Sequence, residues 1–151
     1  MEGFNSFASL KGHIKVEVVR NNEVIDTREV TNTIMNTGKA QVAGLILTDV
    51  GGTAFDFLAV GTGSTAPGAT QTALVGELYR TAGTGVRITT SVANDTARLS
   101  GSFAITASAT LREMGILNSS STGIMLARAT FSDLAVNNAD TVNAIYNIVV
   151  A

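Results

Sequence analysis

Few residues in this chain have the type and spacing that chemistry could use. They are the glycines of one turn-rich stretch, Gly61, Gly63 and Gly68, a lone histidine, His13, and one pair of opposite charges among apolar neighbours, Glu113 and Arg128. Glycines after an apolar strand are the raw material of a phosphate cradle, which also needs a lysine and a hydroxyl residue to reach the terminal phosphates and the metal. Here Gly68 is followed by Ala69 and Thr70, so the lysine is missing. A dinucleotide fingerprint would put its third glycine at Ala66, a tolerated variant, but the long parallel βαβ unit that must carry it is absent from the pattern. The stretch therefore reads as a structural turn. Pro67 and Gly68 suit the two central positions of that turn, because proline presets φ and glycine accepts φ > 0.

His13 has no second histidine and the chain has no cysteine, so a zinc site lacks ligands and disulfides are excluded. No metal and no cofactor is expected. His13 reads as an ordinary polar residue at a strand entrance. Glu113 and Arg128 lie in the two arms of a hairpin, ATLREMGILN and GIMLARATF, joined by Ser119 to Thr122. Placing Ser119 opposite Thr122 sets Leu117 against Ile124, Gly115 against Leu126 and Glu113 against Arg128. The two charges are expected to pair. No base, nucleophile or metal ligand accompanies them in sequence, so the reading is a structural ion pair rather than a catalytic acid, and no enzyme activity is expected.

The elements that must position these residues are mostly strands. The chain has 151 residues, 45% of them hydrophobic, which suits one domain with a real core. Fifteen glycines, a single proline and many threonines and serines fit short strands joined by small-residue turns. The net charge of −2 and the lack of a Lys/Arg run remove the footprint of a nucleic-acid binder. No apolar run is long enough to span a bilayer, and the first residues lack the basic and apolar regions of a signal peptide. Tryptophan is missing, which argues against a carbohydrate-binding face.

In chain order, residues 1–12 read as an arm in which Phe4, Phe7 and Leu10 stand three apart. Such a segment either orders by docking on a partner or packs on its own domain. Residues 13–151 form the single β-rich domain. His13 to Arg20 alternates as a half-buried strand, Asn21 and Asn22 make a two-residue turn, and Glu23 to Thr31 is a polar edge strand. Asn32 to Leu47 changes period to that of the one main helix, with Thr37 as its cap, Ala40, Ala43, Gly44 and Leu47 on one side, and Val42, Leu45 and Ile46 on an adjoining one. Phe55 to Val60 is a strand. Leu74 and Leu78, four apart, predict a short helical turn. Val86, Ile88, Thr90 and Val92 share one strand face, Asn94 and Asp95 turn, and Leu99, Gly101, Phe103 and Ile105 line the return strand. Thr141 to Ala151 is an apolar closing strand, buried in the sheet or against another subunit. The fold class is mainly β, a single-domain antiparallel β-sandwich or barrel with one main helix and a short helical turn.

The order of motifs, VEVVRNNEVIDTREVTNTIMNTGKAQVAGLIL, FLAVGTGSTAPGATQTAL, ATLREMGILNSSSTGIMLARATFSDL and an apolar terminal strand, resembles a family of small virion structural proteins of tailed bacteriophages. The resemblance covers most of the chain from Lys11 onward. Its most specific parts are Ala59 to Pro67 and Arg112 to Phe131. It implies a particle component, carries no catalytic residues, and in plan is similar to capsid decoration (cement) proteins. It further implies a homotrimer made in the host cytoplasm that binds the major capsid protein on the outside of the virion head, with no nucleic-acid or membrane partner. A tail or fibre-base structural protein is the alternative. The interface candidates are Phe4, Phe7 and Leu10, with the turn residues Gly63, Ser64, Pro67 and Gly68 as a second contact.

Overall fold

Ile14, Val16 and Val18 alternate with Lys15 and Glu17, and this two-residue period builds β1, Leu10–Arg20, with the three apolar side chains fully buried. The structure, a computed structural model, describes residues 8–47 and 52–151. Asn21 and Asn22 take φ of 50° and 65°, the left-handed pair that turns a strand tightly into its neighbour. They deliver β2, Glu23–Thr31, to the edge of its sheet.

Eight further strands and one helix follow among the described residues: β3 Thr33–Ile34, α1 Asn36–Ile46, β4 Phe57–Gly61, β5 Glu77–Ala82, β6 Thr84–Ile88, β7 Thr96–Ala104, β8 Ala109–Leu117, β9 Met125–Val136 and β10 Thr141–Val150. They form two five-stranded antiparallel sheets, ordered β2-β1-β10-β7-β6 and β3-β9-β8-β4-β5. The protein is thus mainly β, a single-domain antiparallel sandwich. The closing strand β10 is central in its sheet, which explains its apolar sequence: Val142, Ala144, Tyr146 and Ile148 all join the core between the sheets. Leu99, Phe103 and Ile105 meet them from β7 and just after it, as their alternation predicts.

The second sheet is covered on both faces. Along β8, every residue from Glu113 to Leu117 is buried, and along β4 so is every residue from Leu58 to Gly61. Leu58, Val60, Met114 and Ile116 face the main core, whereas Ala59, Leu117, Met125, Met35 and Leu74 make a second cluster. That second cluster lies under residues 62–76, the glycine-rich stretch.

Several local expectations are corrected. The helix begins at Asn36 and its cap position is Met35, which has extended backbone and no side-chain cap, so Thr37 does not serve. Thr33 and Ile34 pair with β9 and Met35 still donates to the Leu126 carbonyl at 2.8 Å, so the backbone is committed to a sheet edge until residue 36. The helix then buries Gly38 and Gly44, while Ala40, Ala43 and Leu47 are exposed. Gly38 is needed because a Cβ there would lie 2.6 Å from the Leu126 backbone. No helical turn forms at Leu74 to Leu78. The N–H groups of Val75 and Gly76 bond to a carboxylate instead, and Leu78 lies in β5. The tight turn is centred two residues further on, at Ala69–Thr70, with Gln71 N–H donating to the Gly68 carbonyl at 3.0 Å. The strand carrying Val86 stops at Ile88, because Asp95 collects the N–H groups of Thr90, Ser91 and Val92 and bends the chain.

In the turn before β10, Ala139 is exposed yet held at φ 72°, a conformation that costs a residue with a Cβ roughly 1 kcal/mol. Its neighbour Asp140 fixes that geometry by accepting from Asn137 N–H and from two nitrogens of Arg20. The Arg20 guanidinium, then the Asn137 N–H, hold the Asp140 carboxyl down at about 2. Relief of the strain in Ala139→Gly is partly offset by the freer unfolded chain, leaving a net gain of about 0.5 kcal/mol in urea denaturation.

Candidate functional site

The only fully buried charges among the described residues, Glu113 and Arg128, lie on the outer face of the second sheet, where the covering loop meets it. They pair, with Arg128 Nε donating to Glu113 Oε2 at 2.7 Å. The register differs from the expected one: Gly115 stands opposite Arg128 and Glu113 opposite Thr130, so the charges are diagonal neighbours on one face. The connection runs from Asn118 to Ile124, closed by Asn118 N–H to the Ile124 carbonyl, and a bulge between Ile116 and Leu117 adds a further step. Leu117 consequently faces Met125 rather than Ile124. Diagonal placement suits the long arginine, and Gly115 makes room for the covering Leu74, whose Cδ1 would lie 2.5 Å from a Cβ there.

The carboxylate then organises the loop. Glu113 Oε1 accepts from Gly76 N–H at 2.6 Å and Gly63 N–H at 2.9 Å, and Oε2 accepts from Val75 N–H at 3.0 Å besides Arg128. Arg128 Nη1 donates to the Thr65 carbonyl at 2.8 Å and to Gln71 Oε1 at 3.0 Å, and that same Gln71 oxygen accepts from Gly68 N–H. Burial pushes the Glu113 carboxyl up, but the Gly76 and Val75 N–H groups, Arg128 and the Gly63 N–H together hold it below the ordinary glutamate range. Four donors fill the carboxylate and no water reaches it, so it is built to stay ionised and not to move protons. The glycines act by leaving space. A Cβ on Gly63 would lie 2.5 Å from Glu113 Oε1, and one on Gly61 2.8 Å from the same atom and 2.3 Å from the Gly76 carbonyl oxygen.

The sequence-based contact candidates separate into distinct roles. Gly63 is buried beneath the glutamate and leaves the contact surface, because its N–H is spent on Oε1 and the carboxylate lies over it. Ser64 is exposed, and Pro67 and Gly68 are half-buried on the loop's outer side. Phe4 and Phe7 lie outside the described residues. Leu10 belongs to β1, paired with Val150, so the strand starts before His13 and takes in the last three residues assigned to the arm.

A second feature was not foreseen from sequence. At the end of the sandwich where β1 begins and β10 ends, the sheets part around an apolar cavity of about 520 Å³, lined by Leu10, Val42, Phe55, Leu99, Ile148 and Val150 among others. Tyr146 packs behind its wall, fully buried, and its hydroxyl has no hydrogen-bond partner among the described residues. Arg87, on the edge strand β6, stands exposed at the opening and makes no ion pair among the described residues. Sequence hinted at this only through apolar strand ends with nothing opposite them.

Among the described residues, no three His, Asp or Glu side chains gather to hold a metal ion, and no helix is long and apolar enough to cross a membrane. No family model, curated protein or solved structure matches the chain.

Removing one partner of a fully buried pair leaves the other uncompensated, so Glu113→Gln and Arg128→Met should each cost about 3–5 kcal/mol in urea denaturation. The double variant should lose less than the sum, with a coupling of roughly 2 kcal/mol. Because the folded glutamate titrates below its unfolded value, its stabilisation is complete above about pH 4.5 and is lost as pH falls through the lower folded value. The wild type should therefore weaken progressively on acidification below that pH, and Glu113→Gln should show a shallower decline.

Space alone predicts a second contrast in the same loop. Gly63→Ala should destabilise by about 2 kcal/mol or more, since an overpacked, unyielding site costs that much. Gly68→Ala, where a Cβ meets nothing within 4 Å, should change the midpoint by less than about 0.5 kcal/mol.

Proposed function

We propose that this protein is a structural component of a bacteriophage particle, which binds the outside of the capsid as a homotrimer and stabilises it through contacts with the major capsid protein and between its own copies. The particle itself is suggested by the resemblance of Ala59 to Pro67 and Arg112 to Phe131 to small phage virion proteins. A role based on surfaces is supported above all by one observation. The last turn of α1 presents Leu45, Ile46 and Leu47 at 42%, 79% and 60% exposure, a consecutive apolar run that a freely dissolved protein gains nothing by displaying.

The physical task is modest per subunit. At about 25 cal/mol per Å² of apolar surface, a contact of the usual size, roughly 800 Å² on each partner, outweighs the cost of association when much of it is apolar. Repeated over a lattice, such contacts hold neighbouring capsid subunits together. Ser64, Pro67 and Gly68 on the clamped loop, with the end of α1, supply the surface toward the capsid. Phe4, Phe7 and Leu10 supply contacts near the cavity end. The clamp matters here because a loop pinned by a buried ion pair presents its outer residues without an ordering cost on binding.

Purified protein incubated with emptied phage heads should attach saturably and in fixed stoichiometry, read by sedimentation and densitometry. Leu45→Asp/Ile46→Asp should weaken attachment by about a hundredfold or more, two apolar side chains being worth roughly 3 kcal/mol together, and deletion of residues 1–7 should abolish it. Attachment to tails in place of heads would select the tail or fibre-base alternative, and no attachment to either would remove the particle role.

A further inference from the structure

The apolar cavity at the mouth of the sandwich needs an occupant, and its surroundings state what that occupant must offer. Its lining is mostly aliphatic and aromatic, with Asp56, Arg87 and Arg98 among it, and Arg87 makes no ion pair among the described residues. Val86 and Val150 stand 51% and 53% exposed beside it. Leu45 and Ile46, three and four residues beyond the lining residue Val42, lie near that side of the helix. The occupant must therefore bring apolar bulk, and a negative charge suits the side of the rim where Arg87 stands against the single acid Asp56.

Residues 1–7 of this chain, Met-Glu-Gly-Phe-Asn-Ser-Phe, carry that set: Phe4 and Phe7 for the bulk, and Glu2 for the charge. A cavity near 520 Å³ has room for two aromatic rings, since about 150 Å³ accommodates one of benzene size. The chain also emerges at the right place. Leu10 lines the cavity, and just before it Ser9 and Ala151 exchange two backbone hydrogen bonds of 2.6 and 2.9 Å. These bonds keep the strand extended to its last paired residue and direct it out of the mouth, with only Ala8 left between the ladder and Phe7. Seven residues then span up to roughly 23 Å, enough to reach an adjacent molecule.

We propose that residues 1–7 of one copy fill the mouth cavity of a second copy, with Phe4 and Phe7 as the apolar plug and Glu2 facing Arg87. The contact is head to tail, and three such contacts closing on themselves give a cyclic trimer. The inference deepens the proposed function by naming the contact between copies. It is tested in solution without capsids, so that the two readings fail separately.

The chain has no cysteine, which makes an engineered disulfide unambiguous. Full-length Asn5→Cys and full-length Val86→Cys, mixed under mild oxidation, should form a disulfide between the two different variants. The yield should exceed by about tenfold that of Asn5→Cys mixed with Val24→Cys, a site at the opposite end of the sandwich, and Phe4→Ser/Phe7→Ser in the arm should remove that excess. In parallel, anilinonaphthalene sulfonate should fluoresce weakly with the wild type and several-fold more strongly with Phe4→Ser/Phe7→Ser, whose retained fold is verified by circular dichroism. A disulfide that forms within a single Asn5→Cys/Val86→Cys chain, oxidised alongside, while the mixed single variants give no excess would place the arm in its own cavity and overturn the proposal. So would a yield no greater than the Val24 control, or equal dye binding by the wild type and the arm variant.

Discussion

A carboxylate removed from water must be given other dipoles and charges, and in this protein the requirements of one buried glutamate shape a whole layer of the fold. Glu113 is met by one guanidinium nitrogen and three backbone N–H groups, from Gly63, Val75 and Gly76, which are far from it in sequence. Those donors are available only because residues 62–76 are neither helix nor strand. The loop's irregular backbone and the glutamate's charge thus satisfy one another, and neither is stable in place without the other. Arg128 extends the arrangement through the Thr65 carbonyl and Gln71, so that the two ends and the middle of the loop hang from one ion pair.

With the loop pinned, the second sheet acquires a cover, and this is why its strands read as apolar on both faces. Ala59, Leu117 and Met125 point away from the main core yet are buried, because Leu74 and Met35 descend on them from the loop and from the entrance to α1. The helix is tied to the same layer by Asn36 N–H, which donates to the Ala69 carbonyl at 2.8 Å. Its contact with the sheet is made through Gly38 and not through a stripe of large side chains. An exposed Leu45–Leu47 run is the consequence, since a helix that packs through glycine leaves its aliphatic residues to face elsewhere.

The parts of this design that were legible in the sequence are those set by short-range periodicity. The alternation in Ile14–Val18, the Asn21–Asn22 turn, the polar edge strand and the core face of Leu99 to Ile105 need only neighbours along the chain and one buried face. The pairing of Glu113 with Arg128 was legible too, because two opposite charges in apolar hairpin arms have few other ways to be buried. Its register was not, since a bulge and a seven-residue connection shift partners in steps that alternation does not record. The Leu74–Leu78 spacing suggested a helical turn for the same kind of reason: the competing claim on the Val75 and Gly76 N–H groups comes from residue 113, which no local window contains. Gly61 and Gly63 correctly marked an unusual backbone but not its cause. They make room for a carboxylate, and neither requires a positive φ.

The two ends of the sandwich are accordingly different in kind. At the end where β1 turns into β2 and β9 into β10, polar groups finish the structure: Asn21 and Asn22 reverse the chain, and Asp140 ties Arg20 to the Asn137 turn. Backbone and charge are satisfied there by residues a few ångströms away. At the other end, β10 runs to Ile148, Val149 and Val150 beside the Asp95 turn, whose carbonyl accepts from Val150 N–H, with an apolar cavity behind them. Apolar strand ends beside an open cavity are costly in water, and the cheapest remedy available to this chain is the covering of that end by further apolar chain. The loop held by Glu113 and Arg128 is pinned by their hydrogen bonds, while the mouth is hollow and largely apolar. Both ends thus close their backbone with an aspartate-centred turn, and they differ in that the mouth keeps the exposed Val86 and Val150 beside its cavity.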